Sequence, residues 1–168
     1  MDLFIVRHAI AVERDDPAFP NDDERPLSPE GIHKFRLAAR GLSELGLKLK
    51  RIVSSPLLRA RQTAEILRDA VGRDLDITIA PELRPETPFD QTMTAVAKFG
   101  DPAIAVVGHE PHLSGLASYL LVGGGDLAAI EFKKGAVARL AFPDRLSAGA
   151  GTLEWLIQPG ALRLLAKD

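Results

Sequence analysis

Arg7 and His8 stand directly after the apolar run Leu3-Phe4-Ile5-Val6, so a cation and an imidazole sit at the tip of a short β-rich segment. In open α/β proteins ligands bind at the carboxyl ends of the strands. Taken alone, such a pair is more often packed or solvated than catalytic. Two further segments repeat the arrangement. Arg51-Ile52-Val53 runs into Ser54-Ser55-Pro56-Leu57-Leu58-Arg59, and Ile104-Ala105-Val106-Val107 runs into Gly108-His109-Glu110-Pro111-His112. Ser55 is expected to cap a helix that Pro56 starts. Arg59 then falls near the first turn, where the helix dipole disfavours a cation unless an anion joins it. Arg61 reads as an ordinary exposed arginine. Gly108 permits a sharp backbone path, and Pro111 can open the next helix.

Three cationic or imidazole tips fit one site, because parallel strands bring their carboxyl ends to one edge of a sheet. The chemistry of Arg7, His8, Arg59 and His109 converges on an anion. Two guanidinium forks can hold a tetrahedral oxyanion by paired charge-assisted hydrogen bonds. A neutral imidazole can attack phosphorus, and a second one, if protonated, adds charge as the transition state forms. No dedicated metal site is expected: cysteine is absent, and the four histidines, His8, His33, His109 and His112, include no His-Glu-x-x-His spacing. A loop-borne His109 and His112 pair is the minor zinc reading.

The elements that must position these residues alternate along the chain. Strands are predicted over 3–7, 51–54, 76–80, 103–108, 129–133, 136–143 and 152–158. A first helix is capped by Ser28, has Pro29 at its first position, buries Ile32, Phe35, Ala39 and Leu42, and stops near Gly46. A second carries the stripe Leu57, Ala60, Ala64, Leu67 and Val71 and ends at Gly72. Two more are predicted over 89–99 and 112–121, and the glycine run 123–125 reads as a helix stop and turn rather than a phosphate cradle. The alternation implies a parallel sheet covered on both faces, with the closely spaced last strands forming an antiparallel edge. The expected fold is therefore an α/β, three-layer α/β/α sandwich. Residues 9–27 form a long acidic loop, expected to be solvated except at Asp22 and Arg25. His33 is expected on the helix surface, His112 at a helix start or pocket rim, and Trp155 in the core.

Composition bounds the reading. A chain of 168 residues with 46% hydrophobic content predicts one domain, residues 1–168, with a sizeable core. The net charge of −2, from 21 basic and 23 acidic residues, offers no general attraction to nucleic acid. The lack of cysteine is compatible with a reducing cytosol. Only the short run Leu3 to Val6 precedes Arg7, so no signal peptide is expected, and no stretch approaches the roughly 18 apolar residues of a membrane span.

These motifs together resemble the histidine phosphatase superfamily, with its phosphoglycerate mutase-like fold, and within it the small SixA-type protein phosphohistidine phosphatases. The resemblance rests on Arg7-His8-Ala9, where the superfamily has Arg-His-Gly, on the segment from Ser54 to Ala64, and on Gly108-His109-Glu110-Pro111. It extends to the stretch Asp22 to Gly31, with Arg25-Pro26-Leu27-Ser28 at its centre, and to the tail Trp155-Leu156-Ile157-Gln158-Pro159 with Leu162.

What the resemblance implies is a nucleophilic His8 that becomes phosphorylated, with Arg7, Arg59 and His109 around the phosphoryl oxygens and Asp22 and Arg25 in the substrate pocket. Relatives acting on phosphate esters carry a general-acid Glu in a segment corresponding to residues 82–86, where this chain places Pro85 between Glu82 and Glu86. Either glutamate could substitute, since an ester oxygen leaving group needs a proton. A phosphoramidate relaxes that demand, because it leaves as neutral imidazole once its ring is protonated. The chain has no insertion long enough for a lid, and an open site suits a phosphorylated side chain on another protein. The expected function is a cytoplasmic, cofactor-free and metal-independent phosphohistidine phosphatase acting on a phosphorelay or phosphotransferase protein, with no nucleic-acid or membrane partner. The alternatives are a broad phosphomonoesterase using Glu82 or Glu86 and, from another class, a non-catalytic phosphohistidine-binding module.

Overall fold

The computed structural model describes residues 1–166. Six strands form one sheet: β1 (Asp2–Arg7), β2 (Arg51–Ser54), β3 (Ile77–Ile79), β4 (Ala103–Gly108), β5 (Val137–Ala141) and β6 (Thr152–Ile157), in the order β3-β2-β4-β1-β5-β6. The first four run parallel, whereas β5 is antiparallel to β1 and β6 antiparallel to β5. The helices are α1 (Pro29–Glu44), α2 (Leu58–Val71), α3 (Phe89–Ala97), α4 (His112–Val122) and α5 (Pro159–Leu165). The predicted three-layer sandwich with an antiparallel edge is the observed architecture.

Alternation along the strands builds both outer layers. On one face Phe4, Val6, Ile52, Ala105 and Val107 pack under α1, α2 and α5 through Phe35, Leu42, Ala64, Leu67 and Leu162. On the other face Leu3, Ile5, Val53, Ile104 and Val106 pack under α3 and α4 through Val96, Leu113, Leu116 and Leu120. Central strands are therefore apolar on both sides, as parallel strands covered by helices must be. No helix among the described residues is long and apolar enough to cross a membrane.

The helix ends follow local chemistry. The Ser28 hydroxyl accepts from the Gly31 N–H at 3.0 Å, with Pro29 first in α1. Gly31 lies against the loop that leaves β1: a Cβ there would sit 1.9 Å from the Ile10 carbonyl oxygen, so only glycine permits this approach. Gly123 ends α4 in the left-handed region at φ 84°, which bears out the helix-stop reading of the glycine run.

Several expectations need correction. Residues 129–133 form no strand: Phe132 is fully buried in the side-chain layer under α3 and α4 instead of in the sheet. Ser55 does not cap α2, whose preceding residue is Leu57 with no side-chain cap. The short helix α5 was not anticipated. Trp155 is half-buried rather than central, with its ring 6.0 Å from that of Phe4. The loop over 9–27 is not structureless: it holds a 3-10 turn at Asp22–Glu24 and a bridge between Ala11 and Leu27.

Candidate active site

The parallel register aligns the three tips. Arg7 is paired with Gly108 and Ser54 with Val107, so the next residues, His8, His109 and Ser55, leave the sheet at one edge. His8 N–H donates to the Gly108 carbonyl at 3.0 Å and Ser55 N–H to that of Val107 at 2.9 Å. The imidazoles of His8 and His109 stand side by side, 5.1 Å between centroids and inclined at 52°.

Nδ1 of His8 lies 2.7 Å from the Ala9 carbonyl oxygen. A carbonyl only accepts, so Nδ1 carries the proton and Nε2 keeps a bare lone pair. Burial, then His109, Arg59 and Arg7 nearby, push its pKa well below the ordinary value against the bond to Ala9. His8 is thus neutral, the form a nucleophile requires. The Ala9 peptide is itself held, because its N–H donates to the Thr63 hydroxyl at 3.0 Å while that hydroxyl donates to the Arg59 carbonyl at 2.7 Å. Thr63 therefore joins the histidine loop to α2. Sequence reasoning passed over it, although its spacing four residues after Arg59 is the one at which a helical hydroxyl reaches back to a carbonyl.

Arg7 Nη1 donates to the Phe132 carbonyl at 2.5 Å, and its Nε is buried with no partner. Arg59, its side chain 4% exposed, donates from Nη1 to the Asp22 carbonyl at 2.7 Å and from Nη2 to Asp22 Oδ2 at 3.0 Å. Arg25 donates from Nε to Asp22 Oδ1 at 2.9 Å and from Nη1 to the Val12 carbonyl at 2.7 Å. Burial raises the pKa of Asp22, but Arg25 and Arg59 overcome this and hold it below the usual carboxylate value. Asp23, expected to be solvated, instead takes both ends of the Arg84 guanidinium, at 3.3 and 2.6 Å. The 3-10 turn aims neighbouring carboxylates at different arginines.

His109 is 3% exposed, with Nε2 2.7 Å from the Ser55 hydroxyl and Nδ1 buried without a partner. Burial, and next Arg59, lower its pKa to about 3, with Asp22 opposing. Its anticipated cationic role therefore requires a bound anion to raise its proton affinity. Glu110 gives one carboxylate oxygen to the Ser114 hydroxyl, keeps the other buried and unpartnered, and acts on the charge of Arg7. His112 opens α4 and turns to the Thr92 hydroxyl at 3.2 Å, so His109 and His112 take separate partners. His33 is exposed on α1, as expected.

Glu82 and Glu86 are not drawn into this cluster. Glu82 lines a surface concavity with Asp90, Thr94 and Lys98, and Glu86 is exposed and acts on His112 and Arg84. Among the described residues, neither forms a hydrogen bond or ion pair with Arg7, His8, Arg59 or His109.

Residues 3–91 match the family described as Histidine phosphatase superfamily (branch 1). The chain belongs to the histidine phosphatase superfamily. It is a phosphatase of that superfamily and is similar to SixA along nearly its whole length. Phosphohistidine phosphatase SixA of Escherichia coli is 29% identical over 167 residues, 98% of each chain. The structure of the protein histidine phosphatase SixA complexed with tungstate superposes with a TM-score of 0.82 at 29% identity, covering 96% of this chain and 99% of that one. An uncharacterized protein of Picosynechococcus sp. is 35% identical over 136 residues, 73% of this chain and 74% of its own.

Proposed function

We propose that this histidine phosphatase superfamily member hydrolyses phosphohistidine on another protein through a phosphorylated His8. The observation that carries the reading is the bond from His8 Nδ1 to the Ala9 carbonyl, which leaves Nε2 free beside Arg7, Arg59 and His109. The Nε2 lone pair forms a bond to phosphorus as the P–N bond to the substrate imidazole breaks, and that imidazole, already protonated at its other ring nitrogen, takes the electron pair of the broken bond and departs neutral. Water then attacks the phosphoryl group on His8, releasing inorganic phosphate and restoring the neutral imidazole. Arg7 and Arg59 hold the equatorial oxygens, and His109 supplies a further donor. Arg25 and Asp22 form the substrate side, where the Asp22 carboxylate can accept the N–H of the departing imidazole.

Two facts support phosphohistidine over phosphate esters. Among the described residues Glu82 and Glu86 make no hydrogen bond or ion pair with Arg7, His8, Arg59 or His109, and a phosphoramidate needs no carboxylic acid to leave. SixA, similar along nearly the whole chain, is a protein histidine phosphatase whose structure holds tungstate, a tetrahedral oxyanion like phosphate. The reading carries a single domain, a cytoplasmic location, a phosphorelay or phosphotransferase protein as substrate, and no metal or cofactor. Broad phosphomonoesterase activity is the competing reading, favoured by one observation, the unpartnered carboxylate oxygen of Glu110, whose charge acts on Arg7. The deciding experiment compares kcat/KM for a phosphohistidine protein, an alkyl phosphate and an activated aryl phosphate. A preference for the phosphohistidine protein is expected, and a preference for the alkyl ester overturns the proposal. Binding of phosphohistidine without turnover would instead identify a recognition module.

A further inference from the structure

Ser55 is fully buried at the tip of β2, and its hydroxyl oxygen lies 2.7 Å from Nε2 of His109. Its other contact is the Leu57 N–H at 3.4 Å, which can only donate to that oxygen. Among the described residues no carbonyl or carboxylate receives the hydroxyl proton, so its acceptor is Nε2 of His109. A neutral imidazole that accepts at Nε2 carries its own proton at Nδ1. That Nδ1 is buried and meets no protein group. A buried donor without a partner is costly unless a ligand completes it.

We infer that Ser55 is a positioning residue that fixes His109 as its Nδ1–H tautomer, so that the ring offers a neutral hydrogen-bond donor to a phosphoryl oxygen. The opposite tautomer would turn a lone pair toward that oxygen, and two acceptors would face each other. The two histidines are then complementary. The Ala9 carbonyl occupies the N–H of His8 and leaves a lone pair for attack, whereas the Ser55 hydroxyl occupies the lone pair of His109 and leaves an N–H for binding. What the donor serves rests on phosphoryl transfer at His8; the tautomer does not.

The test begins with the unaltered protein. Ring 15N chemical shifts of His109, assigned against a His109→Asn variant, should show a protonated nitrogen at Nδ1 and a bare one at Nε2. In Ser55→Ala the two tautomers should mix, and tungstate affinity and kcat/KM should each fall roughly 10- to 100-fold, the effect of one misdirected hydrogen bond to a charged group. In the His109→Asn background, Ser55→Ala should change tungstate affinity by less than about twofold. A proton on Nε2 in the unaltered protein, or equal losses from Ser55→Ala in both backgrounds, overturns the inference. The shifts and tungstate affinities are read without a substrate, so they stand apart from any failure of the phosphohistidine assignment.

Discussion

Arg59 commits both terminal nitrogens to Asp22, one to the carbonyl at 2.7 Å and one to the carboxylate at 3.0 Å. The Asp22 carboxylate thus holds one arm of the fork that an oxyanion would take, and an arriving phosphoryl group must compete with it there. Asp22→Asn is expected to tighten inhibition by inorganic phosphate roughly 3- to 10-fold, the effect of one partly screened like charge, while lowering phosphohistidine turnover. Inhibition constants and kcat measured together check this. Weaker phosphate binding would mean that Asp22 supports Arg59 rather than competing with its ligand.

His8→Ala should lose activity by roughly 1,000-fold or more, because no other group supplies the attacking lone pair. Brief reaction with labelled phosphohistidine protein, followed by quenching, should leave label on His8 that is labile to acid and stable to alkali. Label on serine instead would remove His8 from its role.

Lysine keeps the charge of arginine but not its planar fork. Arg7→Lys and Arg59→Lys are therefore each expected to lower kcat/KM by roughly 100-fold, the scale of one lost transition-state contact. A chelator should leave the rate unchanged. Full activity in Arg59→Lys would count against the clamp, and loss of activity on chelation would require a metal.

Replacement of Glu82 or Glu86 by Gln should scarcely alter phosphohistidine hydrolysis, since neither meets the cluster. Glu110→Gln is the sharper variant. If Glu110 protonates an ester oxygen, alkyl phosphate turnover should fall roughly 100-fold or more while activated aryl phosphates are spared. Uniform loss across all three substrates would instead assign Glu110 to the support of Arg7.

Burial holds His8 and His109 neutral, His109 at about 3, whereas an unfolded histidine titrates near ~6.5. Between those values the unfolded chain binds more protons, so stability falls as pH drops below about 6.5, by up to ~1.4 kcal/mol per pH unit for each histidine. Buried His112, also lowered, adds to this slope. Asp22, held below its usual value, contributes stability that is lost only below about 4. Melting temperatures between pH 7 and 4.5 should decline, and His109→Asn should flatten the decline. A constant Tm across that window would contradict the neutral, buried state of these rings.

The strand tips were legible because their signals are local. An apolar run that ends in Arg7-His8, or in Gly108-His109, is written in consecutive residues, and the apolar stripe that marks out α2, the helix on which Arg59 lies, repeats within one element. The partners of these groups are not written locally. Asp22 reaches Arg59 across 37 positions, Ser55 meets His109 across 54, and Arg84 finds Asp23 across 61. The Phe132 carbonyl meets Arg7 from 125 positions away, in a segment whose apolar residues resemble a strand but whose Phe132 packs into the layer under α3 and α4. The seven residues of α5 are too few for a helical period to declare itself. Hydrophobic periodicity places each element through its own side chains, whereas the oxygen that meets a guanidinium or imidazole depends on how separate elements pack.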